Sequence, residues 1–222
     1  MKTSKQFYSE FNAEMLAKRK LKKHTKLELS YLKKLLTKED KILDLACGYG
    51  RFTIPLAKKG YSIEGIDITP GFIKKAKETS SKEKVKIRFK VGDMRDLPYK
   101  RDSFTKIICM WSAFSEIITR ADQKKSIKEM FRVLKKGGFA LAEMRPKYNE
   151  KIFVKLGNDE RKFDKKKSIT SLTLSGIEAM PNYVHSKKSL RNLMKECKIS
   201  KYNVFIDDFG GRERLFLQFW KK

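Results

Sequence analysis

The residues of this sequence best placed to do chemistry are three aspartates and a pair of glycines. Ile42-Leu43-Asp44-Leu45-Ala46-Cys47-Gly48-Tyr49-Gly50-Arg51-Phe52 reads as a strand, a tight turn and the start of a helix. Glycine at 48 and 50 lets the backbone turn sharply and approach a ligand without interference from Cβ. In an open parallel sheet such a turn lies at the carboxyl ends of the strands, where ligands bind. Ile63-Glu64-Gly65-Ile66-Asp67 closes the next strand on a carboxylate, at the spacing where an acid can accept from ribose hydroxyls. Gly92-Asp93-Met94-Arg95-Asp96 closes a third on another acid. Any one aspartate serves equally well as a helix N-cap or a solvated loop residue. Three at successive strand ends, beside a glycine turn, point to one ligand-binding edge. Groups able to move a proton nearby are Glu116, Glu143, Tyr148, Tyr183 and His185. None is singled out as catalytic, and Glu116, Tyr183 and His185 remain the weak candidates. His185 precedes Ser186-Lys187-Lys188-Ser189-Leu190, a helix start, so a turn or capping role suits it as well.

The elements that must position these groups follow from hydrophobic periodicity. Apolar positions at Phe7, Phe11, Met15 and Leu16, then Leu27, Tyr31, Leu32, Leu35 and Leu36, predict one or two amphipathic helices. Beyond residue 41, strands are expected at 41–45, 61–66, 85–91, 104–110 and 139–144. Helices at 52–59, 70–79 and 127–134 alternate with them. This rhythm predicts a parallel sheet covered on both faces. Residues 146–185 break it, being polar and lysine-rich with one strand-like segment at 168–174. A helix at 187–197 and strands at 202–206 and 215–220 follow, the last two joined near Gly210-Gly211 as an antiparallel pair. The chain divides into residues 1–38 as an N-terminal helical lid, 41–145 as a ligand-binding half, 146–184 as a substrate-cap insertion, and 185–222 as a terminal helix and strand pair. All form one domain of 222 residues.

Composition bounds the rest. No apolar run approaches the roughly 18 residues needed to span a bilayer. Cys47, Cys109 and Cys197 have neither metal-ligand nor disulfide-framework spacing, so free thiols, no metal and a reducing, cytoplasmic setting are expected. The formal charge of +27 invites a nucleic-acid partner. Its distribution argues against one, because basic residues outnumber acidic ones about two to one all along the chain. Lysine supplies 41 of the 53 cations, whereas bidentate phosphate recognition favours arginine. Two denser runs, at 18–23 and 161–167, read first as solvated surface.

The segment from 41 to 144 resembles the class I S-adenosylmethionine-dependent methyltransferases, nearest to their small single-domain group. The resemblance implies an α/β, Rossmann-like, doubly wound sheet of seven strands, mainly parallel, with the last strand antiparallel beside the fifth and helices on both faces. It implies that Ala46, Cys47, Gly48 and Gly50 form the loop under the methionine part of the cofactor, Ala46 standing where glycine is usual. Asp44 would orient that loop beside the cofactor's ammonium. Asp67 would take both ribose hydroxyls, with Ile68 against the adenine. Asp93 would accept from the adenine amino group, with the Met94 backbone on the ring. Met110 and Trp111, with Ser112 beyond them, would line the reactive side, and Tyr8 would close over the cofactor. A nicotinamide dehydrogenase is the rival in this fold, but its third small residue is replaced here by Thr53. For the acceptor, a small molecule or peptide leads. RNA is the alternative, although no Asn/Asp-Pro-Pro-Tyr/Phe motif is present. A non-enzymatic, cofactor-binding partner of another methyltransferase is a remote third reading.

Overall fold

A computed structural model describes residues 2–18, 22–146, 153–156, 159–174, 176–178, 180–208 and 213–222, the side chains of 22–23, 153–156 and 159 excepted. Tyr148, Gly210-Gly211 and the middle of the first basic run lie outside the described residues. The chain opens with α1 (Ser4–Glu10), α2 (Ala13–Lys18) and α3 (Lys22–Leu35). Then come β1 (Lys41–Leu45), α4 (Thr53–Lys58), β2 (Ser62–Asp67), α5 (Pro70–Lys82), β3 (Phe89–Val91) and β4 (Phe104–Cys109). A single 3-10 turn (Ala113–Glu116) leads to α6 (Arg120–Val133) and β5 (Leu134–Met144). Five short strands follow: β6 (Phe153–Leu156), β7 (Asp159–Asp164), β8 (Ile169–Leu174), β9 (Ile177–Glu178) and β10 (Asn182–Tyr183). The chain closes with α7 (Lys187–Glu196), β11 (Tyr202–Asp208) and β12 (Glu213–Trp220).

The main sheet has the order β11-β12-β5-β4-β1-β2-β3. The five strands β1 to β5 pair in parallel. β12 runs antiparallel to both β5 and β11, so it alone is reversed. The expected fold class is therefore the observed one. Strand β1 is buried from Ile42 to Leu45 without a polar face, as a central strand covered on both sides must be. Its alternate residues feed two cores. Leu43 and Leu45 join Ile107, Ile127, Met130, Leu190 and Leu193 beneath α6 and α7. Ile42 joins Leu32, Leu36, Leu56 and Ile108 beneath α3 and α4.

Three local readings differ from expectation. Residues 85–91 were expected as one strand, yet only Phe89–Val91 pairs, against Gly65–Asp67. This is the edge of the sheet, with one neighbour, and Val85 and Ile87 pack instead with Ile73 and Ala76 of α5. The strand expected at 139–144 begins instead at Leu134, so Gly137-Gly138 lies inside β5, where the register against β4 shifts between Phe104 and Lys106. A Cβ at Gly138 would lie 2.4 Å from the Thr105 carbonyl oxygen, so only glycine lets the two strands close there. The insertion, expected to hold one strand, carries a second antiparallel sheet of order β10-β8-β7-β6, with β9 on β8. Phe7 of α1 and Phe11 at its C-cap pack with Met180, Leu172, Leu174 and Ile177, tying the N-terminal helices to that sheet. Among the described residues, no helix is long and apolar enough to cross a membrane.

Candidate active site: two chambers above the strand ends

The carboxyl ends of β1, β2 and β4 and the loop after β3 surround a cavity of about 580 Å³. Its lining includes Tyr8, Ala46, Asp67, Ile68, Asp93, Met94, Met110 and Trp111. Eight of the twelve residues anticipated for the cofactor thus share one cavity. The other four, Asp44, Cys47, Gly48 and Gly50, are not among the residues lining it.

The loop is shaped by unusual backbone. Ala46 has φ +59° and Gly48 φ +57°. The left-handed region costs an L-residue roughly 1–2 kcal/mol, so alanine at 46 stores strain that glycine would not. Two aspartates hold the turn. Asp67 accepts from the Gly48 amide at 2.9 Å through one oxygen and from the Thr69 amide at 2.8 Å through the other. Burial pushes its carboxyl up from the usual range, and those two amides oppose the push. Asp44 is fully buried and accepts from Thr53 Oγ1 at 2.5 Å. Burial raises it to about 7, against the Thr53 hydrogen bond. Asp44 therefore braces the first turn of α4 from below, and its side chain is not on the cavity wall.

These residues fit the nucleoside part of S-adenosylmethionine on structural grounds. Each Asp67 oxygen spends one lone pair on a backbone amide and keeps another for a ribose hydroxyl. Ile68 and Met94 supply apolar walls in the same cavity. Asp93 sits at that end, but Arg95 grips both of its oxygens, at 2.6 to 3.0 Å. Burial works to raise the Asp93 carboxyl, and the Arg95 hydrogen bonds outweigh it and hold the group low.

Tyr8 of α1 lines the same cavity. Its ring packs on Phe72 with centroids 5.1 Å apart, and its hydroxyl donates to Glu116 Oε1 at 2.8 Å. Burial, and then the Glu116 charge, keep that phenol well above its ordinary pKa. Trp111 and Ser112 both have positive φ, +63° and +59°. This strained step off β4 is held by Glu143, whose carboxylate accepts from the Trp111 amide and whose carbonyl accepts from the Ser112 amide. The Trp111 indole donates to Glu28 at 3.1 Å, and Glu28 is ion-paired with Arg51. Arg51 also lies 4.9 Å from the Trp111 ring. Glu28 and Arg51 were not anticipated. One signal was available: Glu28 lies four and eight residues before Leu32 and Leu36, in line with the buried stripe of α3.

A second chamber of about 360 Å³ adjoins the first, between the main sheet, α1 and the small sheet. Tyr8, Leu16, Trp111, Glu116 and Met180 line both. Of the proton-transfer candidates, Glu116 stands on this shared wall. Tyr183 and Glu143 line the second chamber, Glu143 in an ion pair with Arg214 at 2.9 Å. His185 lines neither chamber. It is fully buried against Phe114 and Tyr183, neither ring nitrogen has a hydrogen-bond partner, and burial lowers its pKa to about 3. It packs as a neutral aromatic. Among the described residues no cluster of ligating side chains could hold a metal, and all three cysteines are free and buried.

Residues 42–138 match the model of a methyltransferase domain. The chain is 34% identical over 100 residues to the demethylmenaquinone methyltransferase of Deinococcus radiodurans, covering 44% of this chain and 40% of that protein. It is 31% identical over 134 residues to the carboxy-S-adenosyl-L-methionine synthase of Nautilia profundicola, covering 59% and 56%. The chain spans about half the length of the curated relatives it matches. Its fold follows that of an S-adenosylmethionine-dependent methyltransferase from Clostridium acetobutylicum, with a TM-score of 0.69 at 18% identity and 97% of each chain covered. The glycine turn, the acids at the strand ends, the seven-stranded order and these likenesses agree: residues 42–138 match a methyltransferase domain, and the chain is similar to the class I S-adenosylmethionine-dependent methyltransferases.

Proposed function

We propose that the protein transfers a methyl group from S-adenosylmethionine, held in the first chamber, to a small molecule or short peptide enclosed in the second. The observation that carries this reading is the common wall of Tyr8, Leu16, Trp111, Glu116 and Met180. A donor below it and an acceptor above it would meet there. When bound, the cofactor supplies a methyl group already activated on a sulfonium, so the chain's task is chiefly alignment. Proximity and orientation of this kind supply roughly 7–11 kcal/mol. Asp67 and the 46–50 loop fix the donor, and Trp111, clamped by Glu28 and Glu143, fixes the wall that the methyl group crosses. The helices α1 and α2 and the sheet within 146–184 act as a lid, joined through Phe7, Phe11 and Met180, and exclude water, whereas α3 packs on the main sheet through Leu32, as does Leu36 just past its end. Glu116 is placed to take a proton from a protonated acceptor, with Tyr8 orienting it.

A volume of about 360 Å³ lies at the low end of small-molecule sites. The name of the Deinococcus relative likewise places its acceptor among small molecules. The test is to incubate the protein with methyl-labelled cofactor and fractionated cell extract. Label is expected in the low-molecular-mass fraction. Label confined to RNA or protein, or to no fraction, would overturn the reading.

A further inference from the structure

The second chamber has a charge pattern that composition does not explain. Its charged lining groups among the described residues are Glu116, Glu143, Arg145, Arg161 and Arg214. The chain holds 41 lysines and 12 arginines, yet all three cations here are arginines. A wall drawn at the chain's overall ratio would carry mostly lysine, so a general lysine excess is not what charges this chamber. Arginine is the side chain whose rigid fork matches an oxyanion with paired donors and stays charged at every working pH.

The arrangement is also polarised. Glu143 is absorbed by the wall, meeting Arg214 and the Trp111 amide, and so offsets one arginine. Arg161, on β7, is partly buried, and Arg145, just past the end of β5, is exposed. Each guanidinium carries five donors, so a protein partner on one edge leaves others for a ligand. Glu116 lies on the wall shared with the donor chamber, and no arginine lies on that shared wall. We infer that the acceptor is a small anion whose carboxylate or phosphate is held by Arg161 and Arg145, with its methyl-accepting atom turned toward Glu116. This rests on the two-chamber reading above and narrows its substrate class.

Calorimetry on the protein saturated with S-adenosylhomocysteine tests it, with acetate, inorganic phosphate and neutral acetamide as probes. One of the two anions should bind saturably, one per chain, and acetamide should not; the anion that binds tells carboxylate from phosphate. Arg161→Gln should weaken that anion tenfold or more and leave S-adenosylhomocysteine affinity unchanged. Lys77→Gln, on the exposed face of α5, should change neither. No saturable anion binding, equal binding of acetamide, or equal loss in Lys77→Gln would overturn the inference. A readout independent of variants is the labelled product itself. At about pH 11, above the usual amine range, it should be retained on an anion exchanger. A low-mass product that flows through would overturn the anionic class and leave the proposed function standing. Label absent from the low-mass fraction would overturn the proposed function instead.

Discussion

Asp67 carries two structural contacts and a proposed ligand contact, and all are lost with its carboxylate. Its carboxylate closes the turn through Gly48 and Thr69, and it faces the cavity where ribose hydroxyls would bind. Hydrogen bonds to a charged group are worth about 1.5–3 kcal/mol each. Asp67→Ala is therefore expected to weaken S-adenosylhomocysteine tenfold or more by calorimetry; unchanged affinity in a folded variant would remove Asp67 from the site. His185 makes a different prediction, about stability. Its folded pKa lies near 3, below the ordinary 6.5, because burial and then the Arg120 charge disfavour the imidazolium. The unfolded chain takes up the proton first as pH falls. The stability this ring contributes is thus complete above about pH 6.5 and is lost between 6.5 and 3, by on the order of a few kcal/mol. His185→Phe should flatten that part of the acid denaturation profile, measured as urea midpoint against pH. A profile as steep as that of the parent would show the ring to be charged or solvated.

At the scale of elements, α1 is the helix that supplies Tyr8 to the walls of both chambers. It is a short helix of seven residues, capped by a reciprocal Thr3–Gln6 pair, and too short to persist alone. Packing holds it: Phe7 and Phe11 are fully buried, with ring centroids 5.1 Å apart. The Tyr8–Glu116 bond then fixes its angle over the site. Tyr8→Phe leaves the packing and removes only the hydroxyl. Amide exchange within Ser4–Glu10 should accelerate roughly ten- to a hundredfold, the equivalent of about 1.5–3 kcal/mol, while exchange in β1 stays unchanged. An unaltered rate in α1 would mean that the bond contributes nothing to its docking. Phe7→Ala, which removes a buried aromatic worth about 3–5 kcal/mol, should release the helix altogether.

For the whole molecule, the question is what a net charge of +27 is for. Its basic residues outnumber the acidic ones about two to one all along the chain, and three of its arginines line the second chamber. Diffuse charge binds polyanions through counterion release, with affinity falling along log salt at a slope of roughly 0.7–0.9 per phosphate neutralised. The protein should accordingly bind unrelated RNAs alike near about 50 mM salt and lose most of that affinity by about 200 mM. Filter binding with two unrelated transcripts checks this. A preference for one RNA kept at the higher salt, with methyl incorporation at a single position, would make RNA the acceptor.

The first chamber was legible in the sequence because its information is local. A tight βα turn needs glycine within a few residues of its strand, and an acid at a strand end follows that strand in sequence, so Asp44, Gly48, Gly50, Asp67 and Asp93 could be named from spacing. Local spacing did not reveal that Asp44 braces the floor through Thr53, or that Asp93 is already gripped by Arg95, since side-chain partners depend on rotamer and depth. The second chamber was illegible for a more basic reason. Its wall draws Tyr8 from α1, Trp111 and Glu116 from beyond β4, Arg161 from β7, Tyr183 from β10 and Arg214 from β12, segments up to two hundred residues apart with no common period. Only the closing of β12 against β5, and the docking of α1 on the small sheet, bring these groups together. The glycine turn and the strand-end acids were thus determined by short-range pattern, and the shape and charge of the second chamber by long-range packing.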